Sequence, residues 1–153
     1  TSAALQALDF TVDAIYLVNV AGNTSYDLTA APAAWYNVAE NKGELASLLS
    51  DAPAAPIVNG QSYDTDHTFY GYPNDLAANT TRIVIETTLG TTKYYYPINL
   101  PQMDSNKSYE IEEVKITRPG SDDPDEPVSF ADATFSVNVI DWTVVPVTEG
   151  TTI

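Results

Sequence analysis

The segment Phe10 to Val20, Phe-Thr-Val-Asp-Ala-Ile-Tyr-Leu-Val-Asn-Val, carries β-branched and aromatic residues at both odd and even positions. A strand sends alternate side chains to opposite faces, so this pattern predicts a central strand covered on both sides. From Thr24 to Pro56 the pattern dissolves into Ala-, Pro- and Asn-rich sequence. One amphipathic piece interrupts it, Glu44 to Ser50, where Leu45, Leu48 and Leu49 fall on one face of a single short helix. Strand patterns resume at His67 to Tyr72, Thr81 to Thr88 and Thr92 to Leu100. Between the last two, Leu89-Gly90-Thr91 puts a glycine where a tight hairpin needs positive φ, so these two strands are expected to pair antiparallel.

Met103 to Lys107 reads as a second turn, followed by a strand from Ser108 to Thr117 whose apolar load is Tyr109, Ile111, Val114 and Ile116. The alternation slips by one residue at Glu112-Glu113, which predicts a bulge. Pro119 to Pro127 is proline-rich and acidic and cannot be a strand. Beyond it, Thr134 to Val139 alternates cleanly, with Phe135, Val137 and Val139 on one face and Thr134, Ser136 and Asn138 on the other. Trp142, Val144 and Val145 prolong the apolar character. Several short strands, turn signals and one minor helix together describe an all-β sandwich.

Length and charge narrow the classes open to such a fold. At 153 residues the chain makes one compact domain with a real core. A formal charge of −15, from 6 basic against 21 acidic side chains, repels phosphate backbones and anionic lipid, so nucleic acid is not an expected partner. With 0 cysteines there is no disulfide, no thiolate nucleophile and no Cys-based zinc site. No run approaches the ~18 to 20 apolar residues of a membrane span, and Thr1 to Phe10 lacks the features of a signal peptide.

Candidate chemistry is sparse. His67 follows Asp64 and Asp66, which would suit a metal or an acid–base pair, but the approach to a strand explains it as well. Asp122, Asp123, Asp125 and Glu126 bring together oxygens of the kind calcium prefers, yet their spacing is not that of an EF-hand and Pro124 and Pro127 restrict convergence. Tyr94, Tyr95 and Tyr96, with Tyr70 and Tyr72, would suit an aromatic platform for sugar, but Tyr94 and Tyr96 share one strand face and Tyr95 takes the other, so at least one side of the run belongs to the core and core packing is the reading preferred. The sequons Asn23-Thr-Ser25 and Asn79-Thr-Thr81 are frequent by chance. Nothing composes an active site: no catalytic residue, metal or cofactor is expected.

Five stretches read together carry a family likeness: Lys93-Tyr-Tyr-Tyr-Pro-Ile-Asn-Leu100, Asn106-Lys-Ser-Tyr-Glu-Ile111, Val114-Lys-Ile116, Gly120-Ser-Asp-Asp-Pro-Asp-Glu-Pro-Val128 and Val137-Asn-Val-Ile-Asp-Trp142. In this order and spacing they resemble the C-terminal region of fimbrillins, the major and minor subunits of type V pili in Bacteroides-like bacteria. Phe10 to Val20 resembles the strand that opens the second domain of that family. The likeness covers a little over half of the chain, and Ala21 to Gln61 shows no recognisable motif. One departure is Ser105, in a turn where the family often has arginine.

The resemblance implies a transthyretin-like β-sandwich of about seven strands with one short helix and a C-terminal strand appendage. Residues 1–127 would form the sandwich and 128–153 the appendage, with the lipidated N-terminal domain upstream of Thr1. It implies an exported, non-enzymatic structural protein of the fimbria and outer membrane, anchored only through that upstream lipid. Its partners would be neighbouring subunits, with a host or bacterial surface ligand for adhesion. Pili of this family assemble by donor-strand exchange. The candidate donor residues are Phe130, Phe135, Val137, Val139, Trp142 and Val144, preceded by a hinge at Pro119, Gly120, Pro124 and Pro127. The 18 residues from Val128 to Val145 would span roughly 60 Å fully extended. Phe135, Val137, Val139 and Trp142 could each contribute roughly 1.5 to 3 kcal/mol if fully buried, before ordering costs. The same strand could instead complete its own sandwich, and both readings stay open at this stage. The alternative function is a carbohydrate-binding or adhesin sandwich at the pilus tip or cell surface, using loop aromatics such as Trp35, Tyr36 and Tyr72.

Overall fold

The structure is a computed structural model and describes residues 10–22, 35–36, 50–51, 68–75, 80–126 and 133–141. Eight strands fall among them: β1 (Phe10–Val18), β2 (Val20–Ala21), β3 (Trp35–Tyr36), β4 (Ser50–Asp51), β5 (Arg82–Leu89), β6 (Thr92–Asn99), β7 (Lys107–Ile116) and β8 (Ala133–Asp141). They form an antiparallel four-stranded sheet in the order β4-β1-β5-β6 and two two-stranded pairs, β2-β3 and β7-β8. The described residues contain no helix. Of the helix expected over Glu44 to Ser50, positions 44–49 lie outside the described residues, and Ser50 belongs to β4.

β1 sits between β4 and β5, the interior place that its two-sided apolar pattern requires. The sheet buries both faces, because Val84 and Ile85 are successive residues of β5 and both lie in the core. One face gathers Val12, Ile85, Tyr96 and Ile98, and Val114 and Ile116 of β7 pack against them. The other cluster holds Tyr16, Val18, Val20 and Val84, with Phe69 and Tyr95 against it. The arrangement is β-sandwich-like and all-β. Tyr94 and Tyr96 join one cluster and Tyr95 the other, as alternation along β6 requires.

The hairpin between β5 and β6 closes at Leu89↔Thr92, and Gly90 adopts φ 65° in the turn. The β7–β8 register steps from Ile111↔Val137 to Val114↔Phe135, three residues against two, so the bulge expected at Glu112-Glu113 is present. It keeps Val114 and Ile116 in phase with Ile111 despite two intervening glutamates. A second bulge, between Val12 and Ala14, turns Asp13 out to solvent. There its carboxylate accepts from Thr88 Oγ1 at 2.6 Å and Thr11 Oγ1 at 3.1 Å. In the second turn Asn106 takes φ 57°. Tyr109 fastens that loop, its hydroxyl accepting from the Asp104 amide at 2.6 Å and donating to the Gln102 carbonyl at 2.7 Å.

Two expected strands differ. Phe10 to Val20 is broken at Asn19, which takes φ 55°, a left-handed conformation that asparagine tolerates better than most residues. The chain resumes as β2. In the strand expected over His67 to Tyr72, His67 lies outside the described residues and 68–72 join no ladder. Pro73 has no amide to donate, and pairing returns only at the bridge Asn74↔Met103, whose amides and carbonyls exchange bonds of 2.8 and 2.9 Å.

That bridge feeds a buried polar relay. Asn74 Nδ2 donates to Thr81 Oγ1 at 2.9 Å, and Thr81 Oγ1 donates to the Asn19 carbonyl at 2.8 Å. The Leu100 amide reaches the Thr81 carbonyl at 2.9 Å. One buried threonine thus fixes the break in β1, the start of β5, the end of β6 and the 74–103 bridge. Thr81→Val keeps the shape but leaves the Asn74 amide and Asn19 carbonyl without this partner, so chemical denaturation is expected to show a loss of about 1 to 3 kcal/mol. A loss below the error of the measurement would show that the relay contributes nothing to stability.

Candidate functional site: the sheet edges and the C-terminal strand

A β-sandwich-like fold presents its edges, since an unpaired edge strand is a template for another chain. The outer edge of β6 is covered. Tyr95 exchanges two backbone bonds with Ser121, at 2.8 and 3.0 Å. Pro97, two residues on, would aim its amide the same way but has none, so a longer added strand would be interrupted there. Gly120 makes the close approach possible, because a Cβ there would overlap the carbonyl oxygen of Tyr95.

The acidic segment runs across this edge as a docked strap. The Tyr96 hydroxyl donates to the Arg118 carbonyl at 2.7 Å. Arg82, its side chain 13% exposed, reaches the Asp125 carboxylate at 2.5 Å and the Asp125 carbonyl at 3.1 Å. Asp123 and Ser121 hold the turn internally: the Asp125 amide donates to Asp123 Oδ1 at 2.8 Å, and the Asp123 amide to Ser121 Oγ at 3.0 Å. Pro119, Gly120 and Pro124, expected in a hinge, therefore lie in a stretch docked at Arg118, Ser121 and Asp125; Pro127 lies outside the described residues. Asp122, Asp123, Asp125 and Glu126 are exposed. Among the described residues no three acidic or histidine side chains converge on a cation-sized site.

Near the strap, Glu86 stands between Ala14 and Tyr95 in the sheet register. It pairs with Lys93, and the hydrogen bond and charge of Glu86 raise the Lys93 pKa. Tyr16 is pushed from 10.0 up to about 12, first by burial and then by the negative potential of Glu86, Tyr95 and Asp125. No nucleophile is held beside a base in this group, and its charges are absorbed by pairing.

β8 pairs with β7 along its whole length, from Ala133↔Ile116 to Asp141↔Lys107. Phe135, Val137 and Val139 stand opposite Val114, Ile111 and Tyr109, so the register matches the apolar positions of the two strands. In this structure the C-terminal strand therefore rests on its own chain. Val139 is 51% and Ile140 44% exposed, and successive residues point to opposite faces, so both sides of β8 are open at that end. Phe130, Trp142 and Val144 lie outside the described residues.

Several residues that shape these edges gave no signal in the sequence. Arg82 heads a strand as any arginine could, and its partner Asp125 is one of many acids. Asn74 and Thr81 become a relay only when the fold brings positions 19, 74, 81 and 103 together. Pro97 was legible as an edge marker within an otherwise strand-like run.

Among the described residues, fold and edges together define an all-β, β-sandwich-like architecture with one sheet edge strapped shut. Comparison with family models, curated proteins and solved structures gave no match to this chain.

Two outcomes follow from this geometry. Gly120→Ala is expected to lift the strap and so accelerate amide hydrogen exchange at Tyr95, whereas Asp125→Ala, which removes one exposed carboxylate, should cost only about 0 to 1 kcal/mol. Unchanged exchange at Tyr95 in Gly120→Ala would mean that the strap tolerates the side chain. The second concerns pH. Tyr16 holds its proton more tightly folded than unfolded, so its contribution is fully present below pH 10 and lost as pH rises toward about 12. Alkaline unfolding curves of Tyr16→Phe should show a shallower fall of stability between those pH values than the parent; equal slopes would contradict the burial of this phenol.

Proposed function

We infer that this chain is a structural subunit of a cell-surface fimbria, its sandwich transthyretin-like in topology, and that it assembles by exchanging the strand around β8 with a neighbouring subunit. The observation that carries the reading is the state of β8: among the described residues it pairs only with β7, and it leaves Val139 and Ile140 to solvent at its end. Among the described residues β8 is bonded along one side only, so it can leave by giving up one ladder, where the interior strands β1 and β5 would have to give up two. The strapped edge of β6 fits the same reading, because a protein that polymerises through one strand needs its other edges closed to unplanned pairing. The likeness of the tyrosine run, the acidic segment and the final strand to fimbrillins supplies the kind of assembly. Export to the cell surface and adhesion belong to this reading.

On it, β8 rests on its own chain before assembly and is donated afterward. The decisive test removes the segment. A chain ending at Val128, carried with the upstream domain that the reading expects, should remain monomeric under conditions in which the full chain forms SDS-resistant polymers. Polymers of undiminished stability from the truncated protein would rule out this donor.

A further inference from the structure

Between the core and the Asn74 bridge, the segment 68–75 displays two tyrosines. Phe69 packs against the first core cluster, and Asn74 is buried and hydrogen-bonded to Met103 and Thr81. Both ends of the segment are therefore fixed. Within it a Cβ built on Gly71, itself exposed, would point at Val20 Cγ1 at 3.1 Å, while the flanking Tyr70 and Tyr72 are 70% and 47% exposed. Residues two apart in an extended segment leave the chain on the same side. These are the two exposed aromatic rings among the large exposed hydrophobics of the described residues. Val20 also pairs with Tyr36, and Ala21 with Trp35, so the backbone register brings two further aromatic positions to this end of the fold.

We propose that Tyr70 and Tyr72 form a stacking platform for neutral carbohydrate. The flat face of an exposed aromatic ring matches the axial C–H face of a pyranose, and phenol hydroxyls suit its equatorial hydroxyls. Little ordering is needed on binding, because both ends of the loop are fixed already. Asp75, exposed at the end of the same loop, offers acceptors to sugar hydroxyls. A net charge of −15 works against sialylated or sulfated chains, which limits the ligand to uncharged glycans. The platform is built on a segment other than β8 and needs no polymer, so it stands or falls independently of the fimbrial reading.

The full chain, kept monomeric, is applied to an array of galactose-, glucose-, mannose- and N-acetyllactosamine-terminated oligosaccharides alongside sialylated counterparts, and the best neutral glycan is titrated by calorimetry. Retention of a neutral glycan is expected. Tyr70→Ala and Tyr72→Ala, both at exposed positions, should keep the parent melting temperature and weaken binding by about tenfold each. Tyr70→Phe, which preserves the ring, should stay within about threefold of the parent. A blank array, equal or tighter retention of sialylated chains, or alanine variants that bind as the parent does would each overturn the proposal.

Discussion

A four-stranded sheet with apolar side chains on both faces cannot stand in water alone, and that constraint organises the rest of this molecule. Val84 and Ile85 are consecutive and both buried, so each face of the sheet must find its own cover. On one side Val114 and Ile116 of β7 supply part of it, and on the other Val20 and Phe69 do. Elements that are weakly paired in themselves, the short β2 and the irregular segment 68–73, hold their places because they shield core. The buried Thr81 relay then fixes those covers to the strand ends, where a misplaced loop would leave amides and carbonyls unpaired.

Covering the faces leaves the edges, and the chain treats them unequally. The β6 edge is closed by a bridge at Ser121, by the missing amide of Pro97 and by the Arg82–Asp125 pair. No single part of that strap is strong, since the ion pair is largely exposed on its acidic side. Its effect is positional: it occupies the backbone groups that another strand would need. At β8 the balance is different, with one partner strand among the described residues and an apolar end left in solvent. The contrast between a guarded edge and a lightly held strand is the physical basis for reading the protein as an assembling subunit rather than a self-contained sandwich.

Much of the fold was legible along the chain, because strands declare themselves through a period of two and turns through residues that accept positive φ. The two-sided apolar run of β1, the Gly90 hairpin, the split of the three tyrosines and the glutamate bulge all follow from local pattern. Legibility failed where the deciding partner is distant in sequence. Asn19 breaks β1 because Thr81, 62 residues on, hydrogen-bonds its carbonyl. Phe69 to Tyr72 has the alternation of a strand yet belongs to none of the described strands, since alternation reports which side is buried and not whether a neighbouring strand is present.

By itself, then, the sequence determined the all-β character of the described residues, the antiparallel hairpin, the bulge that keeps β7 in phase and the strongly acidic net charge, all properties of residues close together or summed over the chain. Tertiary structure alone decided that the acidic segment is a strap, that β8 lies on β7, and that Tyr70 and Tyr72 face water while Tyr96 is buried. Each of these depends on which surface a segment meets. Composition cannot specify that meeting, because the same exposed carboxylates and the same tyrosine rings are compatible with a free tether or a docked one, and with a core or a platform.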